Sequence, residues 1–238
     1  MKTTGNTIFI SGGSAGIGLA LAEKLSENGN RVIINGRNPG RLQEAVGKLG
    51  NAAVALEGDI SKSEERVRIA GLLMKEYPET NVIINNAGLG YVYLLGVEAH
   101  AYEKAAAEMN TNYLSVVHFT ELLLSHLLKK EEAALINISS VAAFGTDKHV
   151  PTYCATKAAL HSYTMALRDT LEGQKNIQVY EVFPPLVDTQ FSAAIGGASG
   201  IAPAEVADEL WQALGRNQLN VPVGEVKRYY KNIERHGK

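Results

Sequence analysis

The chain has almost no cysteine and no long hydrophobic run, and both shortages exclude classes of protein. The single cysteine, Cys154, cannot form an internal disulfide, and no cysteine or histidine cluster has the spacing of a zinc site. We therefore expect neither a disulfide-stapled secreted fold nor a bound metal. The apolar run at 8–10 is too short for a signal peptide, and the other apolar runs are far shorter than the roughly 20 residues of a membrane helix. We predict a cytoplasmic protein with no membrane partner.

An excess of charge of either sign is also missing. The 23 lysine and arginine residues against 25 aspartate and glutamate residues leave a net charge of −2. A chain without a basic excess lacks the electrostatic footprint of a nucleic-acid-binding protein. The 238 residues are 45% hydrophobic and 20% charged, which is ordinary for a globular enzyme. We therefore expect one folded domain over 1–238 that binds no nucleic acid.

Short runs rich in valine and isoleucine alternate with longer segments of helical periodicity. This alternation is typical of a parallel sheet covered by helices on both faces. The sequence predicts strands at 7–11, 31–35, 52–56, 82–85, 134–139, 178–183 and 219–221. It predicts helices at 16–28, 41–49, 62–77, 102–129, 152–172 and 203–215. We therefore predict a single doubly wound α/β domain of the Rossmann type, with a parallel sheet of about seven strands.

The turn after the first predicted strand is rich in glycine and reads Ser-Gly-Gly-Ser-Ala-Gly-Ile-Gly. Glycine has no side chain to keep a pyrophosphate from the backbone N–H groups, and the next helix begins with partial positive charge. The turn therefore indicates a dinucleotide site, although this glycine spacing taken alone also suits a plain turn. The candidate cofactor-binding residues here are Gly12, Ser14, Gly16, Ile17 and Gly18.

The end of the second predicted strand bears on which dinucleotide is bound. An NAD site usually offers a carboxylate to the ribose hydroxyls at this point, whereas an NADP site offers an arginine. The chain has no acid there, and Gly36 is followed by Arg37. An arginine in a turn can also be a plain surface charge. Together with Ser14 in the glycine turn, Arg37 favours NADP over NAD as the cofactor.

Tyr153 and Lys157 are four residues apart at the start of a predicted helix, and Ser139 and Ser140 end the strand before it. Residues at this spacing share one face of a helix, so the two side chains should meet. An ammonium beside a phenol favours the phenolate and lowers the tyrosine pKa, which suits a general acid or base. A Tyr-x-x-x-Lys pair is common by chance, but together with the glycine turn it predicts a proton-transfer site.

These motifs resemble those of the short-chain dehydrogenase/reductase family over nearly the full chain. Ser140 lies thirteen residues before Tyr153, as the family pattern expects, which selects it over Ser139. The resemblance implies hydride transfer between a nicotinamide and a carbonyl or alcohol carbon, with Tyr153 as the general acid or base. The other matching residues are Gly12, Gly16, Gly18, Asp59, Ile60, Asn86, Ala87, Gly88, Asn112 and Lys157.

The resemblance also implies a role for each of these residues. Ser140 would hydrogen-bond the carbonyl oxygen, and Lys157 would bind the nicotinamide ribose while tuning Tyr153. Asn112 would hold a water that links Lys157 to solvent as a proton relay. Two further groups complete the expected cofactor site, one around the adenine and one along the cleft: Asp59 and Ile60, and Asn86, Ala87 and Gly88.

The loop after the sixth predicted strand departs from the family pattern. The family usually has Pro-Gly there, whereas this chain reads Pro184-Pro185, and the second proline should stiffen the loop. The resemblance implies that three residues of this loop would contact the cofactor: Pro184, Val187 and Thr189. The run Pro-Pro-x-Val-Asp-Thr resembles that of a bacterial subgroup of short-chain reductases associated with cell-wall D-alanylation gene clusters.

The substrate end of the site is expected to be apolar and covered by a lid. The glycine-rich stretch 196–200 predicts a mobile lid at about 186–203, although a plain surface loop would have the same composition. The residues expected to form the substrate pocket are Tyr91, Tyr93, Phe144, His149, Pro185 and Phe191.

Three functions are weighed on this basis. The first is an NADP-dependent oxidoreductase that acts on a small carbonyl or secondary alcohol. The second is a non-catalytic dinucleotide-binding redox sensor or scaffold, which would have no need of Tyr153 beside a nicotinamide. The third is a sugar-nucleotide epimerase or dehydratase, which would need an added substrate domain, but only 49 residues follow Thr189.

The same resemblance implies a homodimer or homotetramer. Family members usually pair through the two long helices, here 102–129 and 152–172. These helices carry more apolar residues than one sheet face readily covers, among them Leu122, Leu123, Leu160 and Leu167.

Overall fold

A seven-stranded parallel sheet forms the centre of this computed structural model, which describes residues 1–228 and Tyr230. The strands are β1 (Thr7–Ser11), β2 (Arg31–Gly36), β3 (Ala53–Glu57), β4 (Thr80–Asn85), β5 (Ala133–Ile138), β6 (Ile177–Phe183) and β7 (Asn220–Pro222). Their order is β3-β2-β1-β4-β5-β6-β7. The order reverses between β1 and β4, which opens a crevice at the carboxyl ends of these strands. The predicted doubly wound α/β fold is confirmed.

Helices cover both faces of the sheet. They are α1 (Gly16–Glu27), α2 (Pro39–Leu49), α3 (Ser63–Glu76), α4 (Ala101–Met109), α5 (Ser115–Leu127), α6 (Pro151–Thr170) and α7 (Pro203–Arg216). Alternate strand residues enter two separate cores: Ile8 and Ile10 pack with α1 and α7, and Phe9 packs with α3 and α5. The five inner strands are buried on both faces, which explains why valine and isoleucine are frequent in them.

The predicted helix at 102–129 is interrupted, and this is the main difference from the sequence-based expectation. A π-helical turn at Asn110–Leu114 separates α4 from α5, with Asn112 buried in it. Such turns insert one residue into the helical ladder and are frequent at functional sites. The other predicted elements agree with the structure to within two residues at each end.

No helix within 1–228 and Tyr230 combines the length and the hydropathy needed to cross a membrane.

Candidate active site

A cleft of about 1280 Å³ runs along the carboxyl ends of the strands. The loops that follow β1 to β6 and the first turns of α1 and α6 line it. The predicted catalytic and cofactor residues line this one cleft, with two exceptions. Gly18 and Asn112 are buried and do not reach the cleft surface.

The glycine turn after β1 needs glycine for reasons that the backbone makes plain. Gly12 and Gly16 have φ values of +65° and +53°, in the left-handed region that favours glycine. A Cβ on Gly18 would lie 2.2 Å from the carbonyl oxygen of Gly12, so the turn and α1 could not pack this closely with any other residue. The turn therefore exposes backbone beside the N-terminus of α1, which fits a pyrophosphate.

The loop after β4 braces this turn. The Asn86 side chain donates from Nδ2 to the carbonyl oxygens of Ser11 and Gly12, at 2.9 and 3.1 Å. The Ser11 hydroxyl oxygen accepts from the backbone N–H groups of Asn86 and Ala87, both at 3.0 Å. Asn86 therefore ties β4 to the glycine turn across the crevice, and this geometry fits the bracing role that the resemblance implies.

The end of β2 presents two arginines to the cleft, Arg37 and Arg41. The Arg37 side chain is 74% exposed, and its guanidinium lies 4.0 Å from the Asp59 carboxylate. Sequence reasoning missed Arg41, which is held at the start of α2 because the Asn38 side chain accepts a 3.0 Å hydrogen bond from its backbone N–H. The sequence Asn38-Pro39 at the start of α2 is typical of a helix N-terminus and could have predicted this placement.

The space beside Gly36 is limited. A Cβ at this position would lie 3.1 Å from the Ser14 hydroxyl oxygen. The Ser14 hydroxyl thus lies beside Gly36, the point at which an NAD site usually has its carboxylate, and Arg37 and Arg41 line the same cleft. These residues fit a phosphorylated ribose, with donors and positive charge rather than an acid.

Ser140, Tyr153 and Lys157 meet at the other end of the cleft. Ser140 begins a short 3₁₀ turn, Val141–Phe144, and its hydroxyl oxygen accepts from the Ala142 N–H at 3.1 Å. Tyr153 and Lys157 lie one turn apart near the start of α6, and the Lys157 Nζ is 5.6 Å from the Tyr153 ring centre. The predicted i and i+4 pairing of these two side chains is therefore present in the structure.

The electrostatics of this pair differ from the sequence-based expectation. Burial raises the pKa of Tyr153, and a hydrogen bond with Ser140 only partly offsets it. Burial is the largest influence on this pKa, and the nearby Lys157 Nζ donates to the Ile138 carbonyl oxygen at 2.8 Å. Burial lowers the pKa of Lys157 itself to about 8, against a favourable effect of Glu181. The expected lowering of the Tyr153 pKa is therefore wrong for this structure, and the phenol holds its proton.

Asn112 is placed in a different way from the expected relay. Its Oδ1 accepts from the Leu89 N–H at 2.7 Å, while its Nδ2 donates to the Leu89 carbonyl oxygen at 2.7 Å and to the Thr156 hydroxyl at 2.9 Å. Both amide N–H groups are thus engaged by protein atoms. The side chain ties the loop after β4 to α6, and a water held by Asn112 stays a prediction.

The loop after β6 folds over the Tyr153 end of the cleft. Val187 pairs with Ile201 at its base, where the Asp188 N–H donates to the Ile201 carbonyl oxygen at 2.8 Å. The Phe191 ring lies 5.7 Å from the Tyr153 ring. A Cβ on Gly90 would come within 2.9 Å of that phenylalanine, so the glycine lets the loop approach closely. The loop has the position of a lid, and its mobility stays a prediction.

The predicted substrate pocket is largely wrong in its members. Pro185 and Phe191 line the cleft, but Tyr91, Tyr93, Phe144 and His149 do not. These side chains lie in the surrounding structure instead; for example, the Phe144 ring lies 4.9 Å from the ring of Phe183, the last residue of β6. Apolar residues that sequence reasoning missed take their place: Leu89, Val150, Leu186 and Ile195.

Across 1–228 and Tyr230, no group of three or more histidine, cysteine, aspartate or glutamate side chains could hold an ion.

Comparisons with known proteins agree with this geometry. The sequence profile of the family described as short chain dehydrogenase matches residues 6–200. The uncharacterized oxidoreductase DltE of Bacillus subtilis is 38% identical over 209 residues, which cover 88% of this chain and 82% of that protein. The uncharacterized oxidoreductase SERP2049 of Staphylococcus epidermidis is 27% identical over 227 residues, which cover 94% and 97%.

Solved structures share the fold over nearly the whole chain. A short chain dehydrogenase from Burkholderia cenocepacia in complex with NADP has a TM-score of 0.86 at 27% identity, over 100% of this chain and 96% of that one. A short chain dehydrogenase/reductase from Burkholderia phymatum in complex with NAD has a TM-score of 0.87 at 20% identity, over 98% and 96%. The second likeness concerns the fold alone.

Proposed function

The chain belongs to the short-chain dehydrogenase/reductase family, and from that premise we propose that it transfers a hydride between NADP(H) and a small carbonyl compound or secondary alcohol. One observation carries the proposal: Ser140, Tyr153 and Lys157 line the same cleft as the glycine turn. Groups that can hold and move a proton therefore adjoin a site that fits a dinucleotide.

The proposed chemistry divides between the cofactor and the protein. The nicotinamide supplies the hydride in reduction and accepts it in oxidation. Ser140 holds the substrate oxygen by a hydrogen bond, and Tyr153 gives its proton to the developing alkoxide. Because burial raises the Tyr153 pKa, the phenol keeps its proton until that charge develops. The Lys157 ammonium stabilises the phenolate that remains and binds the ribose hydroxyls.

The choice of NADP over NAD is part of the proposal. Arg37 and Arg41 offer two guanidinium groups at the β2 end of the cleft, with the Ser14 hydroxyl beside them. Guanidinium groups bind phosphate through charge-assisted hydrogen bonds. Among the structural neighbours, the Burkholderia cenocepacia protein binds NADP and the Burkholderia phymatum protein binds NAD. The proposed preference for NADP therefore rests on the arginines of this chain and not on the neighbours.

A panel of aldehydes and ketones with NADPH, followed by the loss of NADPH absorbance, tests the proposal. Tyr153→Phe should keep NADPH binding and lose about 10²- to 10⁴-fold in turnover, because only the proton-transferring hydroxyl is removed. Tyr163→Phe is the matched control, since this tyrosine lies on the same helix but packs against Tyr113, outside the cleft. Near wild-type turnover in Tyr153→Phe would reject the mechanism. NADPH binding without turnover of any carbonyl would favour the sensor or scaffold.

We also propose a homodimer or homotetramer through α4, α5 and α6. Three of the four apolar residues expected to drive pairing do not support it, because Leu123, Leu160 and Leu167 are buried in the chain's own core, whereas Leu122 is only partly buried. Support comes from other apolar side chains on this part of the chain. Tyr102 on α4 is 81% exposed, and Met165 on α6 is 49% exposed.

A cytoplasmic location completes the proposal. Cys154 is a free thiol next to the proton-transferring Tyr153, and free thiols persist in reducing compartments. Fractionation of the native cells with an antibody against the chain would test this.

A further inference from the structure

The face of α6 that carries Tyr153 and Lys157 continues inward with His161, at the same four-residue spacing. Behind this face, on β6, the Glu181 side chain is 0% exposed. Its Oε2 lies 2.9 Å from the Nδ1 of His161. An ionised carboxylate can only accept, so it requires the tautomer of His161 that has the proton on Nδ1.

The second oxygen of this carboxylate makes Glu181 unusual. Among the described residues, Oε1 of Glu181 is one of three buried side-chain atoms with no hydrogen-bond partner. A buried carboxylate in this condition is unfavourable unless nearby positive charge stabilises it. A residue of this kind inside a strand therefore calls for an explanation that packing does not supply.

The nearby positive charge comes from α6. Lys157 lies one turn before His161 on α6, and its Nζ donates to the carbonyl oxygen of Ile138. Ile138 pairs with Val182, the residue next to Glu181, so the carboxylate and the ammonium belong to the same buried region. A carboxylate there opposes the lowering of the Lys157 and Arg168 pKa values by burial. Arg168 is already held by the protein, since its guanidinium donates to the carbonyl oxygens of Val179 and Leu219 at 2.9 and 3.0 Å. Lys157 is 4% exposed, and its Nζ donates to a neutral carbonyl oxygen. The charge of Glu181 therefore matters most to Lys157.

Aromatic rings enclose the pair and keep its surroundings apolar. The rings of Phe144 and Phe183 lie 5.1 and 5.6 Å from the His161 ring. Phe144 ends the 3₁₀ turn that Ser140 begins, so the enclosure is continuous with the active site. The titratable groups around Glu181 are Lys157, His161 and Arg168, with the Tyr230 phenol acting on Arg168. In this low-dielectric setting the charge of Glu181 acts strongly.

We propose that Glu181 and His161 are positioning residues for the proton-transfer site. Glu181 supplies the buried negative charge that keeps Lys157 in its ammonium form, and His161 holds that carboxylate in place. The inference rests on the proposed function, because the ammonium is the form that binds ribose hydroxyls and stabilises the Tyr153 phenolate.

The test measures the Lys157 titration directly, without cofactor or substrate. The protein is labelled with ¹³C in its lysine side chains, and the Lys157 signal is assigned by its loss in Lys157→Arg. Glu181→Gln keeps the size of the side chain and removes its charge. The Lys157 pKa, about 8 in the native chain, should fall by about one unit, at the lower end of the effect of a nearby opposite charge.

Glu108→Gln is the matched control. Glu108 is also 0% exposed, with one oxygen accepting from the Tyr91 N–H at 2.7 Å and the other without a hydrogen-bond partner in the described residues. The two substitutions thus disturb equally buried carboxylates. Glu108→Gln should leave the Lys157 titration where it is.

Two substitutions at His161 test the second half of the proposal. His161→Asn keeps an N–H donor near the Nδ1 position, whereas His161→Phe removes it. The Lys157 titration should stay near the native value in the first variant and fall in the second, because the carboxylate then loses the donor that holds it in place. This pair also carries the test if Glu181→Gln does not fold.

The pH profile of kcat/KM gives the functional readout. Activity should fall at high pH, where Lys157 loses its proton. In Glu181→Gln the alkaline limb of the pH profile should therefore move to lower pH, by as many pH units as the Lys157 pKa falls. An unchanged Lys157 titration in Glu181→Gln would overturn the inference and leave hydride transfer intact. A shifted titration in a protein that reduces no carbonyl would uphold the electrostatic coupling and reject the proposed function.

Discussion

Replacing Arg37 with alanine should reduce the preference for NADPH over NADH but not abolish it. The Arg37 guanidinium is mostly exposed and lies 4.0 Å from Asp59. An exposed ion pair of this kind contributes little to stability. The side chain can therefore turn to a 2′-phosphate at small cost. Arg41 lines the same part of the cleft and would remain in the variant.

The magnitude follows from the exposure of Arg37. A hydrogen bond to a charged group contributes about 1.5–3 kcal/mol, and solvent screening at an exposed site favours the lower value. About 1.5 kcal/mol corresponds to roughly a tenfold change in affinity. Arg37→Ala should thus weaken NADPH binding about tenfold, and the double variant with Arg41→Ala up to about a hundredfold. NADH binding should change little in either variant, because its ribose has no phosphate to lose.

Titration calorimetry with both cofactors, or fluorescence of the single tryptophan, Trp211, measures these affinities. Arg31→Ala is the matched control, since Arg31 begins the same strand and pairs at 2.6 Å with Glu79 rather than lining the cleft. Higher salt should narrow the difference between the cofactors in the native chain. Equal affinities for NADPH and NADH in the native chain would refute the reasoning, as would an equal loss for both in Arg37→Ala.

Four further predictions address the turn, the assembly, the lid and the buried lysine. Gly18→Ala should abolish cofactor binding in calorimetry, whereas Gly71→Ala, with open space around it on α3, should raise stability by about 0.5–1 kcal/mol. Light scattering should give a molecular mass that is a multiple of 25.6 kDa, and Met165→Glu should lower that mass towards the single-chain value. Phe191→Ala should raise KM more than it lowers kcat in steady-state assays. Because burial lowers the Lys157 pKa to about 8 from 10.5, the unfolded chain binds the extra proton, and the free energy of unfolding should rise with pH between these values in denaturant titrations.

Local patterns were enough to predict the fold and most of the cofactor cleft. The alternation of apolar runs with helical periodicity requires only near neighbours in the chain, and so does the pairing of Tyr153 with Lys157 on one helix turn. The glycine turn is equally local, since the close approach of Gly18 to Gly12 spans six residues. All three features are set by residues close together in the chain, so the sequence was enough to predict them.

The substrate end was harder because it depends on contacts between distant segments. Phe144 follows the predicted catalytic serine closely, yet it turns into a cluster with Phe183 and Tyr230 rather than into the cleft. The π-helical turn around Asn112 likewise depends on packing between α4, α5 and α6. No local rule of spacing distinguishes that turn from an uninterrupted helix.

The buried polar atoms around Tyr153 carry a separate argument for function. In folded proteins nearly all such atoms have a hydrogen-bond partner. Three side-chain atoms of the described residues have none, and they belong to Glu108, Ser139 and Glu181. Ser139 lines the cleft, Glu108 acts electrostatically on Tyr153, and Glu181 acts on a neighbouring lysine. A chain selected for stability alone would replace them, and because each is related to the cleft, to Tyr153 or to Lys157, they support a functional site there.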